Sequence, residues 1–111
     1  MKSIGELEPW ELQLMNSVFH RHSVEKAVLF GSRAMNTHRP ASDVDLALYL
    51  RPGTTCKDAA SVQSKICSEL DALTLPYLFD VVFPEKLNHQ PLCDHIMRVG
   101  VTLFEEGLHK P

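Results

Sequence analysis

Residues 28–50 read VLFGSRAMNTHRPASDVDLALYL, an apolar run, a Gly-Ser turn, a polar loop and a second apolar run opened by two aspartates. In that second run Val44, Leu46, Leu48 and Leu50 alternate with Asp43, Asp45, Ala47 and Tyr49, the period of a β-strand. Asp43 and Asp45 are therefore expected on one face. At about 3.3 Å of rise per residue their Cα atoms lie roughly 6.6 Å apart, close enough for both carboxylates to reach a common divalent ion or ion pair. Two unpaired carboxylates at this spacing repel, and one tends to keep its proton unless a cation sits with them. All-oxygen ligands favour Mg²⁺ or Mn²⁺ over Zn²⁺.

The Gly-Ser turn supplies the complementary half. A glycine at a strand end lets backbone N–H groups approach an anion, and a helix starting at Ser32 would point its positive end there. Counting on from Ser32, ten residues (Arg33 to Ser42) precede Asp43, and one separates it from Asp45, giving G-S-x10-D-x-D. A phosphate cradle facing a two-metal carboxylate site is the layout needed for phosphoryl or nucleotidyl transfer. The plainer alternative is a hairpin-like connection with two exposed aspartates at a strand start.

Gly31-Ser32, Arg33, Asp43 and Asp45 resemble the signature of the DNA polymerase β-type nucleotidyltransferase superfamily, and most closely its minimal members, the MntA-like antitoxins of HEPN/MNT toxin–antitoxin pairs. The resemblance runs from the strand before Gly31 to the final strand near Phe104. It implies a nucleotidyltransferase fold, Mg²⁺ (two ions, with Mn²⁺ as a substitute) and ATP as substrate. It further implies a helical HEPN-domain partner in a hetero-oligomer. Ala34-Met35-Asn36 follows where many minimal members carry a glycine or a basic residue, so Met35 removes one possible phosphate contact.

Composition bounds the rest. With 111 residues, 44% apolar and 23% charged, the chain reads as one ordinary globular domain spanning 1–111. A net charge of −3 argues against an extended nucleic-acid surface, which needs a basic face. Cys56, Cys67 and Cys93 are odd in number and show no C-x-x-C pairing, as expected of reduced thiols in the cytoplasm. No signal peptide or membrane span is visible.

Periodicity predicts a helix opening at Glu8-Pro9 with Trp10, Leu14 and Val18, flanked by Met15 and Phe19, facing the core. Val24 to Phe30 reads as a strand, the loop from Arg33 to Ser42 as holding at most a short helix, and roughly 55–73 as a helix capped by Thr54 or Thr55. Arg33, His38 and Arg39 are candidates for clamping a triphosphate. Tyr77 to Phe83 reads as a third strand whose lone charge is Asp80, a carboxylate expensive to bury without compensation. Asp80 is thus the third candidate ligand, able to accept a proton from an attacking hydroxyl, and the resemblance also implies a carboxylate there. A helix from about Pro91 to Val99 and a short strand, Val101 to Glu105, complete the chain. His89, Cys93 and His95 form a scattered set whose spacing does not converge on zinc, and His20 and His22 face different sides of the first helix.

The expected fold is α/β (α+β), a small mixed sheet of about four strands with helices packed against it. The expected function is transfer of AMP from Mg-ATP to a hydroxyl, by resemblance a tyrosine of the HEPN-domain toxin, with Asp43, Asp45 and Asp80 on the metals and Gly31, Ser32 and Arg33 on the nucleotide. After these elements are counted no acceptor domain remains, so the partner is expected to dock over the carboxylate face, beside the loop from Met35 to Ala41. The competing class is a catalytically silent module that inhibits or scaffolds a helical partner. Nucleotidylation of a small molecule is a third reading, weakened by the same lack of an acceptor domain.

Overall fold

The computed structural model describes residues 7–22, 24–34, 43–53, 55–73, 75, 77–86 and 89–106, with Ser32, Arg33 and Cys56 described by backbone alone. The elements run α1 (Pro9–Arg21), β1 (Val24–Phe30), α2 (Gly31–Ala34), β2 (Val44–Leu50), α3 (Cys56–Ala72), β3 (Phe79–Val82), a 3-10 turn (Pro84–Lys86), α4 (Gln90–Val99) and β4 (Val101–Glu105). The strands form one four-stranded sheet in the order β3-β2-β1-β4. β1 is antiparallel to both neighbours, whereas β2 and β3 are parallel. A parallel pair needs a long crossover, which α3 provides.

The alternation read from β2 sorts its side chains between two cores. Leu46 and Leu48 join Ala27 and Leu29 of β1, Val81 of β3, Met15, Val18 and Phe19 of α1, and Ile66 and Leu70 of α3. On the opposite face Ala47 joins Val28 and Phe30 of β1 and Ile96 of α4. Each buried leucine here contributes about 1.5–3 kcal/mol relative to an exposed one. A one-residue slip of β2 would move its leucines out of the larger core and the aspartates into it, so the packing also fixes where the aspartates stand.

The face of α1 differs from expectation. Trp10 and Leu14 are 57% and 39% exposed, while Met15, Val18 and Phe19 are buried together with Glu11. Glu11 is buried because its Oε1 accepts from the Glu8 N–H at 2.9 Å and from the Tyr77 hydroxyl at 3.0 Å. One carboxylate thus caps the helix start and satisfies a phenol on the segment leading to β3, which turns Trp10 outward. At the other end of α1, Arg21 and His22 both engage Glu69 of α3, and the hydrogen bonds from Arg21 and then His22 hold the Glu69 carboxyl below its usual range. His22 is therefore an inter-helix contact.

The helix expected over 55–73 begins at Cys56, with the Thr55 hydroxyl accepting from the Asp58 N–H at 3.1 Å. The third strand is shorter than Tyr77 to Phe83, because Tyr77 lies before the paired segment and its ring instead packs against Phe79. Gly100 makes the turn into β4, where any Cβ would collide with the Ile96 carbonyl. Among the described residues no helix is long and apolar enough to cross a membrane.

The burial of α1 yields a measurable ranking. Glu11→Ala removes a helix cap and the hydrogen bond from the Tyr77 hydroxyl, and should lower the unfolding free energy by about 1–3 kcal/mol. Trp10→Ala should change it by less than about 0.5 kcal/mol. Urea unfolding of both variants checks the assignment, and the reverse order would mean that the other stripe of α1 faces the core.

Candidate active site

The site gathers at the amino ends of β2 and β3 and the carboxyl end of β1. Phe30, the last residue of β1, pairs in register with Asp45, and Asp45 in turn pairs with Asp80 on β3. Register partners on neighbouring strands point to the same face and stand about 4.8 Å apart. Alternation with Ala47 and Tyr49 on β2, and with Val82 on β3, sets both aspartates on the face that α4 covers. Asp43 lies just before β2 and is exposed, with the Val44 N–H donating to the Leu78 carbonyl at 2.8 Å beside it.

Asp80 was expected as a carboxylate sunk in an apolar strand. It is exposed, because β3 is an edge strand and only Val81 in its middle is buried. Its position opposite Asp45, and not its burial, makes it part of the site.

Gly31 closes the cluster from the third side. Its φ of 74° lies in the left-handed region, which a residue with a side chain adopts only at a cost. A Cβ there would overlap Asp45 Oδ2 and come within 3.2 Å of Asp45 Cγ. The turn is therefore pressed against the Asp45 carboxylate, and glycine alone leaves room for it. The helix expected from Ser32 exists as the single turn of α2, so its dipole is small and the first backbone N–H groups of the turn have no intrahelical partners. The side chains of Ser32 and Arg33 lie outside the described residues, as do the candidate clamps His38 and Arg39 and the loop from Met35 to Ala41.

Electrostatics mark Asp45 as the centre. Burial lifts its carboxyl above the ordinary carboxylate value, the charges of Asp80 and then Asp43 lift it further, and His95 pulls in the opposite direction. Accumulated like charge beside a pinched backbone turn is what a divalent cation relieves, and the donors are all oxygens. The fit is incomplete in one respect: among the described residues no three His, Cys, Asp or Glu side chains stand in metal-ligating positions about one point. The aspartates share an edge and a face, and their side chains must swing together to share a cation.

His95 was grouped by sequence with His89 and Cys93, and the structure separates the three. His89 caps α4, its Nδ1 accepting from the Leu92 N–H at 3.1 Å, and the Cys93 thiol points at the Pro84 carbonyl at 3.9 Å. His95 alone of the three packs against Phe30, the register partner of Asp45. The signal was present in its spacing from Leu92 and Val99, which places it on the sheet-facing side of the helix. The hollow lined by Arg51, Asp58, Ser61 and Lys65 lies beyond the far end of β2 and includes none of these residues.

A family model described as Polymerase beta, Nucleotidyltransferase matches residues 13–107. The chain belongs to that family. The match includes the Gly31 turn, all three aspartates and His95. Its backbone is also similar to that of several solved complexes. One is a toxin–antitoxin structure with AMP-PNP, at 19% identity and a TM-score of 0.62 over 86% of this chain and 74% of that one. Another is the tri-AMPylated Shewanella oneidensis HEPN toxin in complex with MNT antitoxin, at 17% identity and a TM-score of 0.57 over 86% and 71% of the two chains. A third is the toxin–antitoxin MntA-HepT, at 17% identity and a TM-score of 0.58 over 88% and 73%. At these identities the likeness is one of fold, and the fold is the one expected from the sequence. No curated protein sequence matches the chain.

The charge state of Asp45 gives the site a pH signature. A carboxyl held above its unfolded value contributes stability that is fully present below the unfolded value and lost as pH rises through the folded one. Asp45→Asn escapes that loss, so in chelator the variant should melt higher than the parent near pH 7, and the difference should close toward about pH 3. A variant that melts lower than the parent near pH 7 would contradict the crowding of charge at Asp45.

Proposed function

We propose that this chain is a nucleotidyltransferase that moves AMP from Mg-ATP to a hydroxyl of a partner protein, and that the partner is a helical HEPN-domain toxin which the modification silences. The observation that carries the reading is the pairing of Asp45 with Asp80 against the Gly31 turn, within a chain of the polymerase beta nucleotidyltransferase family. The nature of the acceptor is supported by the fold shared with antitoxins solved beside their toxins, one of them an AMPylated HEPN protein. A tyrosine is the proposed acceptor residue and the cytoplasm the proposed compartment.

In this reading Asp43, Asp45 and Asp80 hold two Mg²⁺ ions, and Gly31, Ser32 and Arg33 hold the phosphates. The bound metals supply charge stabilisation for the attacking and leaving oxygens. The Gly31 turn fixes the triphosphate through backbone N–H groups, so that the α-phosphorus comes to the aspartates. The acceptor oxygen attacks that phosphorus and the bond to the β-phosphate breaks. Pyrophosphate leaves with the electron pair, and Asp80, an exposed carboxylate on the edge strand β3, takes the hydroxyl proton. Its exposure leaves room for an acceptor hydroxyl carried by another chain to approach within the roughly 3–3.5 Å that reaction requires.

The silent binding module is favoured by one observation, the lack of a ready-made three-residue ligand set among the described residues. One experiment separates the two readings: incubation of the chain and its co-purified partner with Mg²⁺ and each of the four nucleoside triphosphates, followed by mass spectrometry of the partner. The enzyme reading expects added AMP units with ATP, and a fall of about 10²-fold or more in rate for Asp45→Asn, as for loss of a major transition-state charge contact. A partner that gains no mass with any triphosphate, yet is neutralised equally by Asp45→Asn and the parent, would establish the binding module.

A further inference from the structure

The imidazole of His95 has no part in the scheme above, and its placement gives it one. His95 belongs to α4, whose neighbours Leu92, Ile96 and Val99 pack on the sheet. Its ring meets the ring of Phe30 edge-on, with centroids 6.2 Å apart and planes at 83°. Phe30 is both the register partner of Asp45 and the residue before Gly31, so this contact anchors the imidazole where the turn meets the carboxylates. α4 also packs against α2 itself. The ring is half-buried and close enough to Asp45 to oppose the other charges acting on it. Yet among the described residues no hydrogen bond joins the two, so the N–H of His95 is not committed to holding Asp45.

A neutral imidazole offers one N–H donor and one acceptor, and a donor anchored beside a turn that approaches an anion is chemically suited to a phosphate oxygen. We propose that His95 is a nucleotide-contacting residue, its imidazole donating to the phosphate chain held between the Gly31 turn and the aspartates. This deepens the nucleotidyltransferase reading and rests on it. The contact adds a side-chain donor from α4 beside the Gly31 turn, and it places His95 in a site whose Gly-Ser turn and first two aspartates lie before residue 50. Phe30 positions the ring, and His95 touches the substrate.

The test compares His95→Gln, which keeps an N–H donor, with His95→Leu, which keeps bulk and loses it. The exposed His20→Ala on α1 serves as a control. Binding of a non-hydrolysable ATP analogue and of inorganic tripolyphosphate, each with Mg²⁺, is measured by calorimetry alongside thermal melts. Loss of a hydrogen bond to a charged group weakens binding by roughly tenfold or more, so His95→Leu should bind both probes at least that much more weakly. His95→Gln should retain most of the affinity, and the melts should agree. Equal weakening in Gln and Leu, or weakening for the ATP analogue with tripolyphosphate unchanged, would overturn the phosphate contact. If the parent binds the analogue and both variants bind it equally well, His95 alone is excluded, whereas a parent that binds neither probe removes the nucleotide reading and this inference with it.

Discussion

Asp45 and Asp80 are held at the same level of two parallel strands, and the apolar residues alternating with them prevent either from moving away. Val44 and Leu46 flank Asp45, and Phe79 and Val81 flank Asp80, all packed toward the core beneath α1 and α3. Sliding one strand past the other would cost several buried side chains at about 1.5–3 kcal/mol each, more than the repulsion of two partly solvated carboxylates. Charge crowding is thus imposed by hydrophobic packing. The Gly31 turn intensifies it by pressing backbone against Asp45 from the β1 side, and α4 covers the same face with His95 at its edge.

This arrangement explains why so small a chain needs its particular topology. β1 must end, and β2 and β3 must begin, at one edge of the sheet for a backbone turn and two carboxylates to meet. The antiparallel β1–β2 pair and the parallel β2–β3 pair together do that. The crossover helix α3, required by the parallel pair, covers the opposite face and leaves the site edge clear. The order β3-β2-β1-β4 also puts Asp80 on an edge strand, where its carboxylate meets solvent instead of a third neighbour.

Local chemistry was legible in the sequence to the extent that it was local. The alternation of Val44 to Leu50, the glycine at the end of β1 and the spacing to Asp43 and Asp45 each depend on a few neighbouring residues, and they sufficed for the sheet, the turn and the family. Trp10 and Leu14 were misplaced because α1 carries two adjacent apolar stripes, and the choice between them was made by Glu11, which binds Tyr77 from far along the chain. Asp80 was chosen for the wrong physical reason, since strand order decides whether a mid-strand aspartate is buried. His95 was weighed only with His89 and Cys93 as a scattered zinc set, because helical spacing shows which face meets the sheet but not which part of the sheet lies beneath it.

The central claim is that the three aspartates and the Gly31 turn form one site for a metal–nucleotide pair. Three carboxylates do not balance two divalent cations, so on this account the metals bind well only with the polyanionic triphosphate beside them. Titration of the chain with Mn²⁺, followed by electron paramagnetic resonance with and without ATP, tests this directly. The account predicts weak Mn²⁺ binding alone, markedly tighter binding with ATP beyond what ATP itself captures, and loss of that gain in Asp43→Ala. Tight Mn²⁺ binding to the nucleotide-free chain, unchanged by Asp43→Ala, would contradict it.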